Sequence, residues 1–307
     1  MKKTKMPNIK SYLSLIKFSH TIFAMPFAMI GFFLAIFYFN NNTSQPGWNA
    51  NIYSGNWILV KLLIVILCMV FARSSAMAFN RYLDKNFDAR NPRTAVREIP
   101  AGLISSSNAL HFVVLNCIAF IVCTWFLNKL CFFLSPVALF VVLGYSYTKR
   151  FTPLCHLILG LGLSLAPIGA YLAVTGQFAV LPVLFSFTVI FWVSGFDIIY
   201  ALQDEEFDKS EKLYSIPAAI GTIKALRVSE LFHALSAAFI IIAGIQGSFQ
   251  WLYWLGVAVF CAMLIYQHSV VKPNDLSRVN LAFMTANGIA SVVFSIFVIA
   301  DLFLVHR

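Results

Sequence analysis

Two acidic pairs in this chain have the spacing of one helical turn: Asp84 with Asp88, and Asp204 with Asp208. Each step of four residues drifts only ~40° around a helix, so both members of a pair share a face. Asn80 extends the first pair by one more turn. Deeper in the same two lines lie Arg73, seven residues before Asn80, and Asp197, seven residues before Asp204. Carboxylates and an amide oxygen spaced this way are hard ligands. Magnesium takes one or two carboxylates and completes its shell with phosphate oxygens and water. The set suits that ion better than a closed all-protein calcium cage. A diphosphate held there would need further positive charge to leave as an anion. Candidates are Arg90, Arg93 and Arg97 after the first pair, and Lys149 with Arg150 in GYSYTKR. The fork of Arg73 suits either a diphosphate or a carboxylate. Asp197 sits inside the apolar run VSGFDIIYALQD, where an ionisable side chain is costly and marks a functional position. Glu205 and Glu206 fall off the stripe and are expected in solvent. A charged helix end is ordinarily a solvated cap. Two equivalent ends, each in line with a charge inside an apolar run, argue against that reading.

The elements that must position these residues are apolar. Of the 307 residues, 60% are hydrophobic and 11% charged, which is too little polar surface for a soluble domain of this length. A bilayer-spanning helix needs ~20 apolar residues. Nine stretches qualify: 20–39, 57–79, 108–127, 131–147, 155–175, 180–202, 228–246, 251–270 and 280–304. They are continuous rather than alternating, which excludes an outer-membrane barrel. The expected fold is therefore all-α, a polytopic membrane bundle of nine transmembrane helices forming one domain over residues 1–307. The apolar run after MKKTKMPNIK reads as a retained first span rather than a cleaved signal. The net charge of +10 raises the question of nucleic acid, but its distribution answers it. Eighteen of the 22 basic residues fall before the first span or in the links after spans two, four, six and eight. That alternation follows the positive-inside rule. It places the N-terminus and both acidic motifs on the cytoplasmic side of an inner membrane, and the C-terminus outside. The expected surroundings are membrane lipid, with no nucleic acid. None of the six cysteines forms a C-x-x-C pair, so they read as small buried hydrophobes. The acidic motifs follow spans two and six, which hints at a duplicated four-helix unit with a ninth span added.

Taken together, Asn80-Arg81-Tyr82-Leu83-Asp84-Lys85-Asn86-Phe87-Asp88 and Asp204-Glu205-Glu206-Phe207-Asp208 resemble the two motifs of the UbiA superfamily of membrane prenyltransferases. Those motifs are N-D-x-x-D-x-x-x-D and D-x-x-x-D, at the ends of helices two and six of nine. A Y-x-x-x-K motif after helix four is matched by Tyr145 and Lys149. The departure is Arg81, which stands where the family usually has Asp. The strings NRYLDKNFDARNPRTAVREIPAG, GFDIIYALQDEEFD and SIPAAIG are similar to one branch of that superfamily. The branch is grouped with 4-hydroxybenzoate polyprenyltransferases. It includes enzymes of the futalosine route to menaquinone, which act on a dihydroxynaphthoate. Ser19 and His20 in IKFSHTIFAMPFA match it too, and the resemblance offers His20 as a contact for the aromatic acid.

The resemblance implies transfer of a polyprenyl group from its diphosphate to an aromatic acid that becomes a quinone. Mg2+ would be held by Asp84, Asp88, Asp204 and Asp208, with Asn80 assisting. Lys149, Arg93 and Arg97 would neutralise the departing diphosphate. Arg73 would meet the diphosphate or the acid. Asp197 would stabilise the allylic cation or accept the ring proton. A secondary transporter is the rival class, but transporters keep their sites near the bilayer midplane. Here the charge gathers at helix ends on one side. A CDP-alcohol phosphotransferase would show D-G-x-x-A-R, which is absent.

Overall fold

The computed structural model describes residues 9–16, 24–41 and 55–305. His20 and Ser19 lie outside them. Eight helices are long and apolar enough to cross a membrane, and a shorter apolar helix covers Met25–Tyr38. Their positions match the nine expected spans. In chain order they begin with α1 (Ile9–Leu15), α2 (Met25–Asn41), α3 (Gly55–Leu83), α4 (Lys85–Arg90), α5 (Ser106–Trp125) and α6 (Lys129–Thr148). There follow α7 (Cys155–Thr175), α8 (Val180–Ala201), α9 (Glu205–Ser210), α10 (Ile216–Ile220), α11 (Thr222–Gln246), α12 (Trp251–Val270) and α13 (Asn287–Ala300). No strand occurs among the described residues. The fold is an all-helical membrane bundle, and the chain is a multi-pass membrane protein.

In lipid every backbone group must find its partner inside the segment, which leaves helices as the solution for such apolar runs. Their ends are closed locally. The side chains of Ser105 and Asn128 accept from Asn108 N and Cys131 N and cap α5 and α6. Buried Asp301 accepts from Gln250 N and Tyr253 N at 2.9 and 3.1 Å and so caps α12 from another element. Pro136 and Pro167 lie inside α6 and α7. The last span begins not as an α-helix but with π turns over Leu281–Ala286. There Asn287 accepts from Trp192 Nε1 at 2.8 Å and Gln267 Nε2 at 2.9 Å.

Helix α8 is packed between α7 and α11. The approach to α7 is close because position 160 is glycine; a Cβ there would strike the Ile190 carbonyl. Around Trp192, the rings of Phe27, Phe260 and Phe294 fill the centre of one half of the bundle. The other half, bounded by α3, α5, α6 and α7, holds a cavity.

All six cysteines are free. Glu206 is exposed as expected, but Glu205 is not simply solvated. It pairs with Lys209 and accepts from the Thr222 hydroxyl, tying α9 to the start of α11.

Candidate active site

Both acidic motifs sit where a long helix breaks into a short one. Helix α3 ends at Leu83, Asp84 forms the turn, and α4 carries Asp88. Helix α8 ends at Ala201, a tight turn covers Leu202–Asp204, and α9 carries Asp208. The breaks are mild. Asp84 N still donates to Asn80 O and Asp88 N to Asp84 O, at 2.9 and 2.8 Å, so the one-turn spacing survives. The C-terminal end of α6 and the N-terminal end of α7 complete the same side of the bundle.

These ends enclose a polar pocket of about 210 Å³. It brings together Asn80, Asp84, Asp88, Arg93, Arg97, Tyr145, Lys149, Asp197, Asp204 and Asp208. Each of the four motif carboxylates faces a different cation. Asp208 Oδ1 lies 2.7 Å from Lys149 Nζ, Asp88 Oδ1 2.6 Å from Arg97 Nη1, and Asp84 Oδ1 3.2 Å from Arg150 Nη2. Asp204 pairs with Arg93, whose Nε donates to Oδ1 at 3.0 Å, and Asn91 Nδ2 donates to the same oxygen at 3.1 Å. Three of these pairs join separate elements: the loop after α4 to the end of α8, and the end of α6 to α9 and to the turn at Asp84. Arg90, a further candidate, pairs instead with Glu211 at the surface.

Burial pushes the Asp84 carboxyl above the usual range, and the Arg150 guanidinium offsets this only in part. Burial works to lower Lys149, but Asp208 beside it leaves the ammonium above its usual value. It therefore stays charged at neutral pH. The second oxygens of Asp88 and Asp208 are buried without a hydrogen-bond partner. An oxygen left this way costs free energy unless something cationic meets it. Among the described residues no three acidic, histidine or cysteine side chains form a closed metal cluster. The donor set is two acidic pairs facing a shared space, which fits magnesium with phosphate oxygens completing its shell.

Beside this pocket lies an apolar cavity of about 400 Å³, bounded mainly by α3, α6 and α7. It runs past Val65, Cys68 and Met69 of α3 to Leu127, Leu172 and Phe178 at the other side of the bundle. Tyr145 and Leu159 line both spaces, so the two meet there. Arg73, expected near the acidic motif, lines the apolar cavity and not the polar pocket, and its Nε is buried without a partner. The site is thus a charged chamber opening into an oily one, with one guanidinium on the oily side.

A profile of the UbiA prenyltransferase family matches residues 24–289. The chain belongs to the UbiA prenyltransferase family. A 4-hydroxybenzoate octaprenyltransferase of Francisella tularensis subsp. mediasiatica (strain FSC147) is 33% identical over 239 residues, 78% of this chain and 84% of that one. The apo structure of a UbiA homolog from Aeropyrum pernix K1 superposes with a TM-score of 0.74 at 28% identity, covering 92% of this chain and 96% of that one. A UbiA homolog from Archaeoglobus fulgidus bound to DMAPP and Mg2+ shares the fold, with a TM-score of 0.69 at 19% identity over 96% of this chain and 100% of that one. This UbiA prenyltransferase has the second acidic motif and the Tyr145–Lys149 pair, and the first acidic motif with Arg81 in place of its usual Asp.

Several pocket residues escaped the sequence reading. Tyr200 lies three residues after Asp197 and four before Asp204, on the stripe already drawn, and its hydroxyl accepts from Arg93 Nη1 at 3.1 Å. Asn91 falls on the line of Asn80, Asp84 and Asp88, three residues beyond Asp88, and it went unnamed because it is an amide in a loop. His156 carried no signal. It stands at the start of α7, buried, with Nδ1 2.7 Å from Asp197 Oδ2. The partner of Asp197 is therefore His156.

Proposed function

We propose that this UbiA prenyltransferase moves a polyprenyl group from its diphosphate to an aromatic acid destined to become a quinone, at the cytoplasmic side of an inner membrane. The observation that carries this reading is the junction at Tyr145 and Leu159. A pocket of five carboxylates and four cations there meets an apolar cavity large enough for isoprenoid chain. Asp84, Asp88, Asp204 and Asp208 hold magnesium, with Asn80 beside them. The bound metal supplies charge neutralisation of the diphosphate as it leaves. Lys149, Arg93, Arg97 and Arg150 turn from the carboxylates to the phosphate oxygens as substrate enters. The polyprenyl tail fills the apolar cavity, which excludes water from the allylic carbon. Arg73, alone on the apolar side with an unpartnered Nε, takes the carboxylate of the acceptor; a bidentate fork suits that group. Asp197, at the polar pocket, accepts the ring proton after the new carbon–carbon bond forms. The whole chain, 1–307, acts as one membrane domain.

The relative at 33% identity makes 4-hydroxybenzoate the first acceptor to test. A dihydroxynaphthoate is the second. The branch that the motif strings resemble also includes enzymes that use it, and Arg81, in place of the usual Asp, is folded into the protein interior rather than the pocket. Purified protein with a polyprenyl diphosphate and magnesium should prenylate one of the two acids. Arg73→Lys should raise KM for that acid far more than KM for the diphosphate. Transfer to neither acid, or an Arg73→Lys effect confined to the diphosphate, would overturn the assignment.

A further inference from the structure

The reaction above leaves a buried titratable contact unused. His156 is 3% exposed in its side chain, and its Nδ1 lies 2.7 Å from Asp197 Oδ2. Its other nitrogen is also engaged: the backbone N–H of Ile216, at the start of α10, donates to Nε2 at 3.3 Å. A nitrogen that accepts a hydrogen bond carries no proton, so the proton of the neutral ring sits on Nδ1 and points at Asp197. A third bond fastens the same place. Ser194 Oγ shares its proton between the Ile190 carbonyl at 2.6 Å and the His156 carbonyl at 3.1 Å, one helical turn from Asp197 on α8. The Asp197 carboxylate is not sealed by these contacts; its side chain is 23% exposed and lines the polar pocket together with Tyr145 and Leu159, where the apolar cavity begins.

We propose that His156 is a positioning residue for prenyl transfer: held as its Nδ1–H tautomer by the Ile216 backbone, it fixes one oxygen of Asp197 and leaves the other aimed at the acceptor ring. The inference rests on the reading of Asp197 as the proton acceptor. When the allylic carbon has bonded to the ring, a ring C–H bond breaks. Its electron pair restores the aromatic ring, and the proton goes to the free oxygen of Asp197. The imidazole keeps its own proton throughout. Its Nε2 is occupied by a backbone donor, so it does not relay the proton onward, which leaves by way of the polar pocket. The arrangement also links Asp197 to the second acidic motif, since Ile216 follows Asp208 by eight residues and its N–H sets the ring.

Three variants of the full chain in detergent test this: His156→Leu, His156→Asn and Asp197→Asn, each measured for magnesium-dependent binding of polyprenyl diphosphate, kcat and acceptor KM. A hydrogen bond to a charged group corresponds to roughly a ten- to hundred-fold change in rate. His156→Leu should keep diphosphate binding and acceptor KM and lose kcat by that factor. His156→Asn, whose amide nitrogen reaches nearly where Nδ1 lies, should recover most of the loss. A wild-type kcat in His156→Leu beside a slow Asp197→Asn would overturn the positioning role and leave Asp197 in place. A wild-type rate in Asp197→Asn would overturn both. Should the leucine variant fail to fold, nitrogen NMR of 15N-histidine-labelled wild type still decides: protonated Nδ1 and bare Nε2 at His156 support the inference, and a protonated Nε2 overturns it.

Discussion

Each motif carboxylate faces a cation of its own, and the pairs are unequal in what they lose when one side is removed. Asp208 is fully buried, while Lys149 is one-third exposed. Taking away the lysine leaves a bare carboxylate in the interior, which costs about 3–5 kcal/mol. Lys149→Met should therefore lower the melting temperature strongly. Lys149→Met with Asp208→Asn should restore most of it, since neither partner is then left charged, yet neither variant should transfer a prenyl group. Melting and turnover of the two variants check this; a double variant as unstable as the single one would mean that Lys149 stabilises through something other than the pair. At this scale the sequence was informative about which residues come together. It named the acids and their cations because both must lie within a turn or two of a helix end. His156 was invisible. Its contact with Asp197 spans two helices, and no spacing along one helix can report it. The place of Arg73 was half legible. Its line along α3 was right, but only the packing of α6 and α7 shows that this line has left the charged pocket by position 73.

Element by element, the apolar runs translate directly into helices, and the differences have physical causes. Helix α11 begins at Thr222, six residues before the expected start, because Lys224 and Arg227 hide its first turns from a reading by hydropathy. The π turns at Leu281–Ala286 follow from where Asn287 must reach, which is a tertiary demand. The most exacting contact is between α7 and α8. Gly160 is one turn beyond His156, and a side chain there meets backbone at Ile190 and the Ser194 hydroxyl. Backbone cannot yield as a flexible side chain would. Overpacking of this kind typically costs ~1–3 kcal/mol. Gly160→Val should lower thermal stability by such an amount. It should also slow turnover, because parting the helices draws His156 away from Asp197. Diphosphate binding should survive, since the acidic pairs sit on other turns. Thermal melting, turnover and binding of that variant separate these effects; loss of binding with intact turnover would contradict the proposed geometry.

At the scale of the whole molecule, charge distribution and structure describe one arrangement. The basic links, both acidic motifs and the polar pocket lie at the same ends of the helices, and the apolar cavity runs from there towards the other side. By the positive-inside rule, that arrangement would face the pocket to the cytoplasmic side, as proposed. Glu206 and Gln250 are exposed at opposite ends of the bundle. An impermeant thiol reagent should label Glu206→Cys in inside-out vesicles only, and Gln250→Cys in right-side-out vesicles only. The reverse pattern would invert the topology.

The central claim is that the four carboxylates hold the diphosphate through magnesium rather than merely capping two helices. Binding of a radiolabelled polyprenyl diphosphate to purified protein tests it most directly, with magnesium, with EDTA, and in Asp84→Asn. Binding should be tight with magnesium and lost in EDTA, and added magnesium should restore it. Asp84→Asn should show a deficit beyond the ~10- to 100-fold that removal of an outer-shell partner costs. Equal binding in EDTA and in magnesium, or undiminished binding by Asp84→Asn, would contradict it.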